Sequence, residues 1–365
     1  PNYGERLYRF GLISDVHNET SQATDNSEDL INALTWFNNN ESIEFTVISG
    51  DLTQTSYSSN NLATEMSIFQ NNKNSVSPNT PVYPVTGNHD CPQSSDVNIS
   101  TFYSYTDASG IAPSSGANYS YEKTFTHTTS GGTVVTDHFL FLSMKRYEFS
   151  TNTYDSTDLT WLSNKLEAYK NDRCFVITHM FFPSYAGNFK RIYPSGNWLS
   201  GTMLTQLKNL IDSYPRTIWF SGHSHWKWYL QQYEDKANVY PISNNNRTTG
   251  WAVHVPSCAS PIDSDGVSTR VPMSGQSEGA VVDVYQDYID IRAVEFKGAG
   301  DSAYANRYLP IGQYRLYTQP ESSNTGSTTG ETTIKTVLVA KCNRVSTGLA
   351  VESGHTSGSP IYVQY

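Results

Sequence analysis

Cysteine is scarce and poorly placed for a zinc finger: the four present, Cys91, Cys174, Cys258 and Cys342, form no C-x-x-C pair. Thiolate-held structural zinc takes its ligands in closely spaced pairs, so that class is excluded. Four cysteines allow three complete disulfide pairings, among which the sequence does not choose. Cys174 opens an apolar run and reads as a buried free thiol. No run of 18 apolar residues occurs, so the chain offers no membrane-spanning helix. Charge is thin as well. Charged residues make up 16 %, below the ~25 % of an average soluble domain. The 24 basic residues face 34 acidic ones, giving a net charge of −10 and no basic block. Proteins that grip nucleic acid set Lys and Arg against phosphates, so a long nucleic-acid groove is disfavoured. Polarity comes instead from Asn, Ser, Thr and Tyr, a balance suited to an extracellular, cell-surface or phage-borne protein. The chain starts at Pro1 with no methionine and no signal peptide, and so reads as a mature or excised piece of something longer.

Apolar and aromatic material is ample. Hydrophobic residues make up 37 % and aromatics 13 % of 365 residues, enough for a substantial core. Short apolar, β-branched runs recur at Tyr8–Ser14, Phe45–Ser49, Pro81–Thr86, Phe175–Thr178 and Thr217–Ser221, each of strand length. Between them lie stripes of helical period. Leu30, Ala33, Leu34 and Phe37 form one, with Ser27 as its N-cap; Leu159, Leu162, Leu166 and Tyr169 form another, and Leu204, Leu207 and Ile211 a third. Alternation of strand and helix predicts an α/β fold with buried sheets. Further strands at Tyr119–Phe125, His138–Met144, Ala252–Val255, Ala280–Tyr285 and Tyr288–Phe296 fit a second, partly antiparallel sheet. Residues 318–333 read as a Ser/Thr/Gly-rich linker, dividing a main domain, 1–317, from a small β-rich extension, 334–365.

Polar clusters sit directly behind the first five strands: Asp15-Val16-His17, Gly50-Asp51, Gly87-Asn88-His89-Asp90, His179, and Gly222-His223-Ser224-His225. Ligands of open α/β sheets bind beyond the carboxyl ends of the strands, so these distant clusters can converge on one edge. The donor set mixes carboxylate, amide and imidazole, which suits Mn, Fe, Co, Ni or Zn and is too rich in His for Ca or Mg. Asp15 and His17 lie one residue apart, so in an extended segment both side chains reach the same side; His223 and His225 repeat the spacing. Each glycine marks a sharp turn or a close approach to another backbone. Two cations ~3.5–4 Å apart would clamp a phosphate and turn a bridging water into a hydroxide nucleophile.

In their order and spacing, D-x-H, G-D, G-N-H-D, a strand followed by His, and G-H-x-H resemble the calcineurin-like metallophosphoesterase superfamily, over roughly residues 8–296. The resemblance implies a four-layer α-β-β-α sandwich, two mixed sheets flanked by helices with the metal site at the carboxyl ends of the strands. It implies two divalent or mixed-valence transition-metal ions, with Mn, Fe or Zn as candidates. Asp15, His17 and His225 would hold one ion, Asn88, His179 and His223 the other, and Asp51 would bridge them. His89 would stand beside the phosphate and its leaving group, oriented by a hydrogen bond to Asp90. Leu52 and Thr53 follow Asp51 where purple acid phosphatases supply a tyrosinate, so a ferric-tyrosinate centre is not expected. The arginines that flank the site of Ser/Thr protein phosphatases have no counterpart either. His127, His138, His254 and His355 read as structural.

The activity implied is hydrolysis of a phosphate ester, a phosphodiester before a monoester. The substrate would be a nucleotide, a glycerophosphodiester or a polyol-phosphate polymer. Lys190 and Arg191, in an aromatic loop behind His179, are candidate substrate contacts. Two alternatives stand: a catalytically silent binding or adhesion module on the same fold, and a nuclease, against which the acidic net charge counts.

Overall fold

A computed structural model describes residues 4–148, 152–187, 199–228, 238–241, 248–264, 270–273, 275–299, 306–318, 342–345 and 348–351. The chain divides into two compact units, Pro1–Glu321 and Ser322–Tyr365. In the second, Cys342–Val345 pairs antiparallel with Gly348–Val351. The linker assigned to 318–333 lies outside the described residues but for Thr318, as does most of the extension.

The larger unit holds two six-stranded mixed sheets. In the first, β1 (Arg6–Ile13), β2 (Phe45–Ile48) and β3 (Val82–Pro84) run parallel. On the other side of β1 the antiparallel strands β12 (Gln276–Tyr285), β13 (Tyr288–Lys297) and β14 (Arg307–Tyr317) follow in that order. In the second sheet β5 (Val134–Phe141), β6 (Arg173–Ile177), β7 (Thr217–Ser221) and β9 (Trp251–His254) run parallel. The antiparallel edges are β4 (Tyr121–Thr128) and β8 (Val239–Tyr240). A separate hairpin joins β10 (Ile262–Ser264) to β11 (Arg270–Pro272). The parallel strands are buried on both faces, which explains why they read as continuous apolar runs rather than as alternation.

Helices α1 (Asp25–Trp36), α2 (Leu62–Val76), α3 (Ile99–Ser104), α4 (Ser156–Ala168) and α5 (Gly201–Ser213) flank the sheets. The first packs its buried Leu30, Ala33 and Leu34 against β12 and β13. Its N-cap is Thr24, whose Oγ1 accepts from the Ser27 N–H at 3.3 Å; Ser27, expected as the cap, is the third helical residue. Asp25 and Glu28 lie in the first turn, where the exposed N–H groups favour negative charge. Among the described residues no helix is long and apolar enough to cross a membrane.

Aromatic rings fill the space between the sheets. Phe10 of β1 stacks on Phe45 at 5.3 Å and meets the edges of Phe139 at 5.4 Å and Phe175 at 5.7 Å, both from the opposite sheet. A polar tie accompanies them: the Tyr8 hydroxyl donates to Asp137 at 2.7 Å, and Arg173 grips the same carboxylate through two N–H groups. Cys91, Cys174 and Cys258 are buried free thiols. Because Phe10 is fully buried and touches both sheets, Phe10→Ala should cost about 3–5 kcal/mol, the range for emptying an aromatic core position. Denaturant unfolding measures it; a loss below about 1 kcal/mol would contradict this packing.

Candidate metal centre

The parallel strands of each sheet end together. Ile13 pairs with Ile48, and Ile48 with Pro84, in the first sheet. Phe141, Ile177, Phe220 and Val253 line up likewise in the second. Behind that shared rim lie the loops carrying Asp15 and His17, Asp51, Asn88 and His89, His179, and His223 and His225.

Main-chain hydrogen bonds knit these loops before any side chain is considered. The N–H groups of Val16 and His17 both donate to the Asp51 carbonyl, at 2.8 and 2.9 Å, and Asp15 N–H donates to Gly50 O at 3.0 Å. Gly222 N–H reaches His179 O at 3.0 Å, and His223 N–H donates to Asp15 Oδ2 at 3.1 Å. The extended geometry expected for Asp15-x-His17 and His223-x-His225 is not what forms. Asp15, His17, Asp51, His223 and His225 all have positive φ, between 51 and 68°, a left-handed conformation costly for residues with a Cβ and concentrated at functional sites. By turning, Asp15 and His17 reach the same group, whereas His223 and His225 part, one to each group.

The glycines make room for this. A Cβ on Gly87 would lie 2.2 Å from Asp51 Oδ1, and one on Gly222 1.9 Å from Ser14 Oγ and 2.7 Å from Asp15 Oδ2. Gly50 has φ +90° and backs onto the His179 ring.

The side chains form two overlapping groups. Asp15, His17, Asp51 and His225 bring one ligand atom each within 4.8 Å of one another; Asp51, His179 and His223 do the same, so Asp51 belongs to both. Asn88 Oδ1 joins the second group, 3.0 Å from His179 Nε2. Two tautomers are set from behind: His179 Nδ1–H donates to Ser49 O at 2.7 Å, and His225 Nδ1–H to Ser260 O at 3.0 Å. Each therefore turns Nε2 toward the cluster, the arrangement by which outer partners orient metal-ligating imidazoles.

The electrostatics fit a cation. Burial pushes the Asp15 and Asp51 carboxyls up, but the charge of His225 on Asp15, and of His179 on Asp51, outweighs it and holds both below the ordinary carboxylate range. Burial lowers His179 too, yet Asp51 beside it pushes the imidazole up to about 9. Burial drives His17 and His223 down to about 3, the neighbouring imidazole charges adding to it. Burial thus favours the neutral, lone-pair form of His17 and His223, while Asp51 and Asp15 favour the charged form of His179 and His225. Asp15 Oδ1 is buried, with His225 Nε2 facing it at 3.1 Å. His17 Nε2 and His225 Nε2 stand 3.2 Å apart. Ring nitrogens and carboxylate oxygens aimed at one another in this way are the donor set of transition-metal ions.

His89 is half-buried beside the first group, its ring edge-on to His17 with centroids 4.6 Å apart. Asp90 does not orient it. The fully buried Asp90 carboxylate accepts instead from the N–H groups of Gly87, Leu52 and Thr53 and from the Thr53 hydroxyl, at 2.7–3.3 Å. His89 Nδ1–H donates to the Gln54 carbonyl at 2.7 Å, and its N–H to Asp51 Oδ1 at 2.8 Å. Asp90 thus pins the Asp51 loop to the Asn88 loop, a role the G-N-H-D spelling does not distinguish from orienting the histidine. His254 is buried, donating to Trp226 O at 2.8 Å through Nε2. Lys190 and Arg191 lie outside the described residues. The carbonyls of Ser49, Gln54 and Ser260, which set the imidazole tautomers, carry no side-chain signal in the sequence.

Two mixed sheets with a carboxylate-bridged histidine cluster at their common rim define an α/β metallophosphoesterase fold. Residues 8–227 match the calcineurin-like phosphoesterase family, and the chain belongs to it. No curated protein matches the sequence. Among solved structures, GAP50, described as the anchor in the inner membrane complex of Plasmodium, is similar at a TM-score of 0.52 and 16 % identity, over 88 % of this chain and 91 % of that one. PhoD is similar at 0.51 and 9 % identity, over 84 % and 69 %. At such identities the likeness is one of fold.

Two outcomes follow from this geometry. Gly222→Ala should drive a methyl group against Ser14 and Asp15 and strip bound metal while the fold survives; elemental analysis beside circular dichroism reads both, and normal metal content would contradict the close approach. His179 is raised from 6.5 to about 9, so its pairing with Asp51 contributes stability fully present below about pH 6.5 and lost as pH rises through about 9. A cation must displace that proton, so metal-depleted protein should bind Mn(II) or Zn(II) more tightly at about pH 9 than at about pH 7, with proton release. Calorimetry in buffers of different ionisation enthalpy checks it; equal affinity and no released proton would count against it.

Proposed function

We propose that this chain is a metal-dependent phosphoric ester hydrolase that favours phosphodiesters over monoesters. The observation that carries the reading is the pair of overlapping ligand groups sharing Asp51. Asp15, His17 and His225 would hold one cation, Asn88, His179 and His223 the other, with Asp51 shared between them. Bound there, two divalent transition-metal ions polarise the phosphoryl oxygens and supply an activated water near neutral pH. This chain's own residues do the rest. The Asp51 carbonyl and carboxylate tie three loops together, fixing the spacing of the two groups. His89 has its Nδ1–H committed to Gln54, so Nε2 is the nitrogen left to hold a proton for the departing alkoxide.

Substrate class and location rest on composition. The acidic charge of −10 supports a small or flexible phosphodiester, a nucleotide, a glycerophosphodiester or a polyol-phosphate polymer, over duplex nucleic acid, which sets a nuclease third. The low share of charged residues supports a place outside the cell, at a cell surface or on a phage particle. A silent binding module is the second reading, favoured by the fold likeness to GAP50, a protein described as an anchor. The complete ligand set speaks for turnover, because a site kept only as scaffold has no need of buried, mutually facing donors.

Chelation should abolish hydrolysis of bis(p-nitrophenyl) phosphate, and Mn(II) or Zn(II) should restore it. Asp51→Asn should lose both metals and activity. His89→Asn should keep the metals and slow turnover about 10²–10⁴-fold, the usual contribution of a positioned acid. Metal-replete protein inert toward diester and monoester alike would establish the silent module instead.

A further inference from the structure

Beside His89 the structure places a stacked pair of tyrosines that no part of the ligand set requires. The Tyr57 ring meets His89 edge-on, with centroids 4.8 Å apart, and stacks on Tyr147 at 5.2 Å with 21° between planes. Both are half-buried. They come from separate loops behind β2 and β5 and are tied together through the loop behind β3. Gln93 N–H donates to Tyr57 O at 3.0 Å, and Tyr147 N–H points to Pro92 O at 3.5 Å. The rings thus run in a continuous series from His17 through His89 and Tyr57 to Tyr147.

We propose that Tyr57 and Tyr147 form an aromatic wall against which the leaving group lies, selecting phosphate esters whose leaving group carries a planar ring, such as a nucleoside or an aryl alcohol, over alkyl esters. The proposal deepens the hydrolytic reading and rests on its placement of His89 at the leaving group. The physical basis is the stacking of a planar π-system on tyrosine rings, which tolerates many rings because it needs area rather than a fixed hydrogen-bond pattern. A polyol or glycerol leaving group has no such face and gains nothing from the wall. Among the three substrate classes open above, the wall therefore favours the nucleotide.

The test separates the wall from turnover. Binding of phenylphosphonate and methylphosphonate, which are not hydrolysed, is measured by calorimetry on the metal-loaded protein, in the wild type and in Tyr57→Ala, Tyr147→Ala, Tyr57→Phe and Tyr147→Phe. The wild type should prefer the phenyl compound. That preference should fall about 5- to 150-fold in each alanine variant, the range for one ring stacked on an aromatic side chain, and persist in both phenylalanine variants. A wild-type ratio near one overturns the wall, as does a ratio unchanged in the alanine variants. A loss confined to Tyr57→Ala overturns it too, because displacement of His89 then explains the effect. Phenyl phosphate and bis(p-nitrophenyl) phosphate are assayed alongside. Preference in binding with no turnover of either would support the wall while refuting the hydrolytic reading.

Discussion

Two carboxylates, Asp15 and Asp51, are buried with their ligand oxygens within 4.8 Å of each other, and among the described residues only histidines pair with them. Burying two like charges so close is strongly unfavourable unless positive charge sits between them. An arginine or lysine would satisfy the electrostatics and fill the space permanently. Imidazoles satisfy it reversibly, by holding protons when no cation is present and lone pairs when one is. The division into raised His179 and His225 and depressed His17 and His223 is what this charge balance demands of the ring nitrogens.

The rest of the rim serves to keep that arrangement from relaxing. Left to themselves the carboxylates would swing apart toward water. They cannot, because the backbone beneath each is committed. The Asp51 carbonyl takes two N–H donors from the Asp15 loop, and its side chain takes the N–H of His89. The Asp15 carboxylate takes the N–H of His223, its carbonyl the hydroxyl of Ser257. Five candidate ligands in left-handed conformations are the local cost of this bracing. The rigid scaffold that bears it is the pair of sheets whose facing rings pack Phe10 and Phe45 against Phe139 and Phe175.

Legibility in the sequence followed physical scale. Strands buried on both faces announce themselves as apolar runs, and the polar clusters at their ends stood out because nothing apolar dilutes them. Helix α2 left no such mark: Leu62, Met66 and Phe69 form its buried stripe, but buried Glu65, Asn72 and Lys73 break the pattern. Its Glu65 is buried because Thr55 and Ser56 donate to it, a tertiary fact without local signature. Strand β14 carries Pro310 and Gly312, residues that ordinarily argue against a strand. The error over Asp90 has the same root. A carboxylate next to a histidine in sequence suggests partnership, whereas adjacent side chains in a tight turn point apart, and Asp90 turns inward to three backbone N–H groups and the Thr53 hydroxyl.

Tyr57 and Tyr147 show the limit most clearly. Neither belongs to a periodic stripe or a motif, and 90 residues separate them in the sequence. Their significance arises only because β2 and β5 belong to different sheets whose carboxyl ends share a rim, so that the loops behind them meet over the same site. Motif positions sit at the first residues past each strand, where geometry is dictated by the strand itself and spelling is therefore constrained. Recognition residues sit farther along the same loops, where many backbones can deliver a ring to the same point. Chemistry is accordingly written in short local patterns, and selectivity in contacts between loops that only the folded sheets bring together.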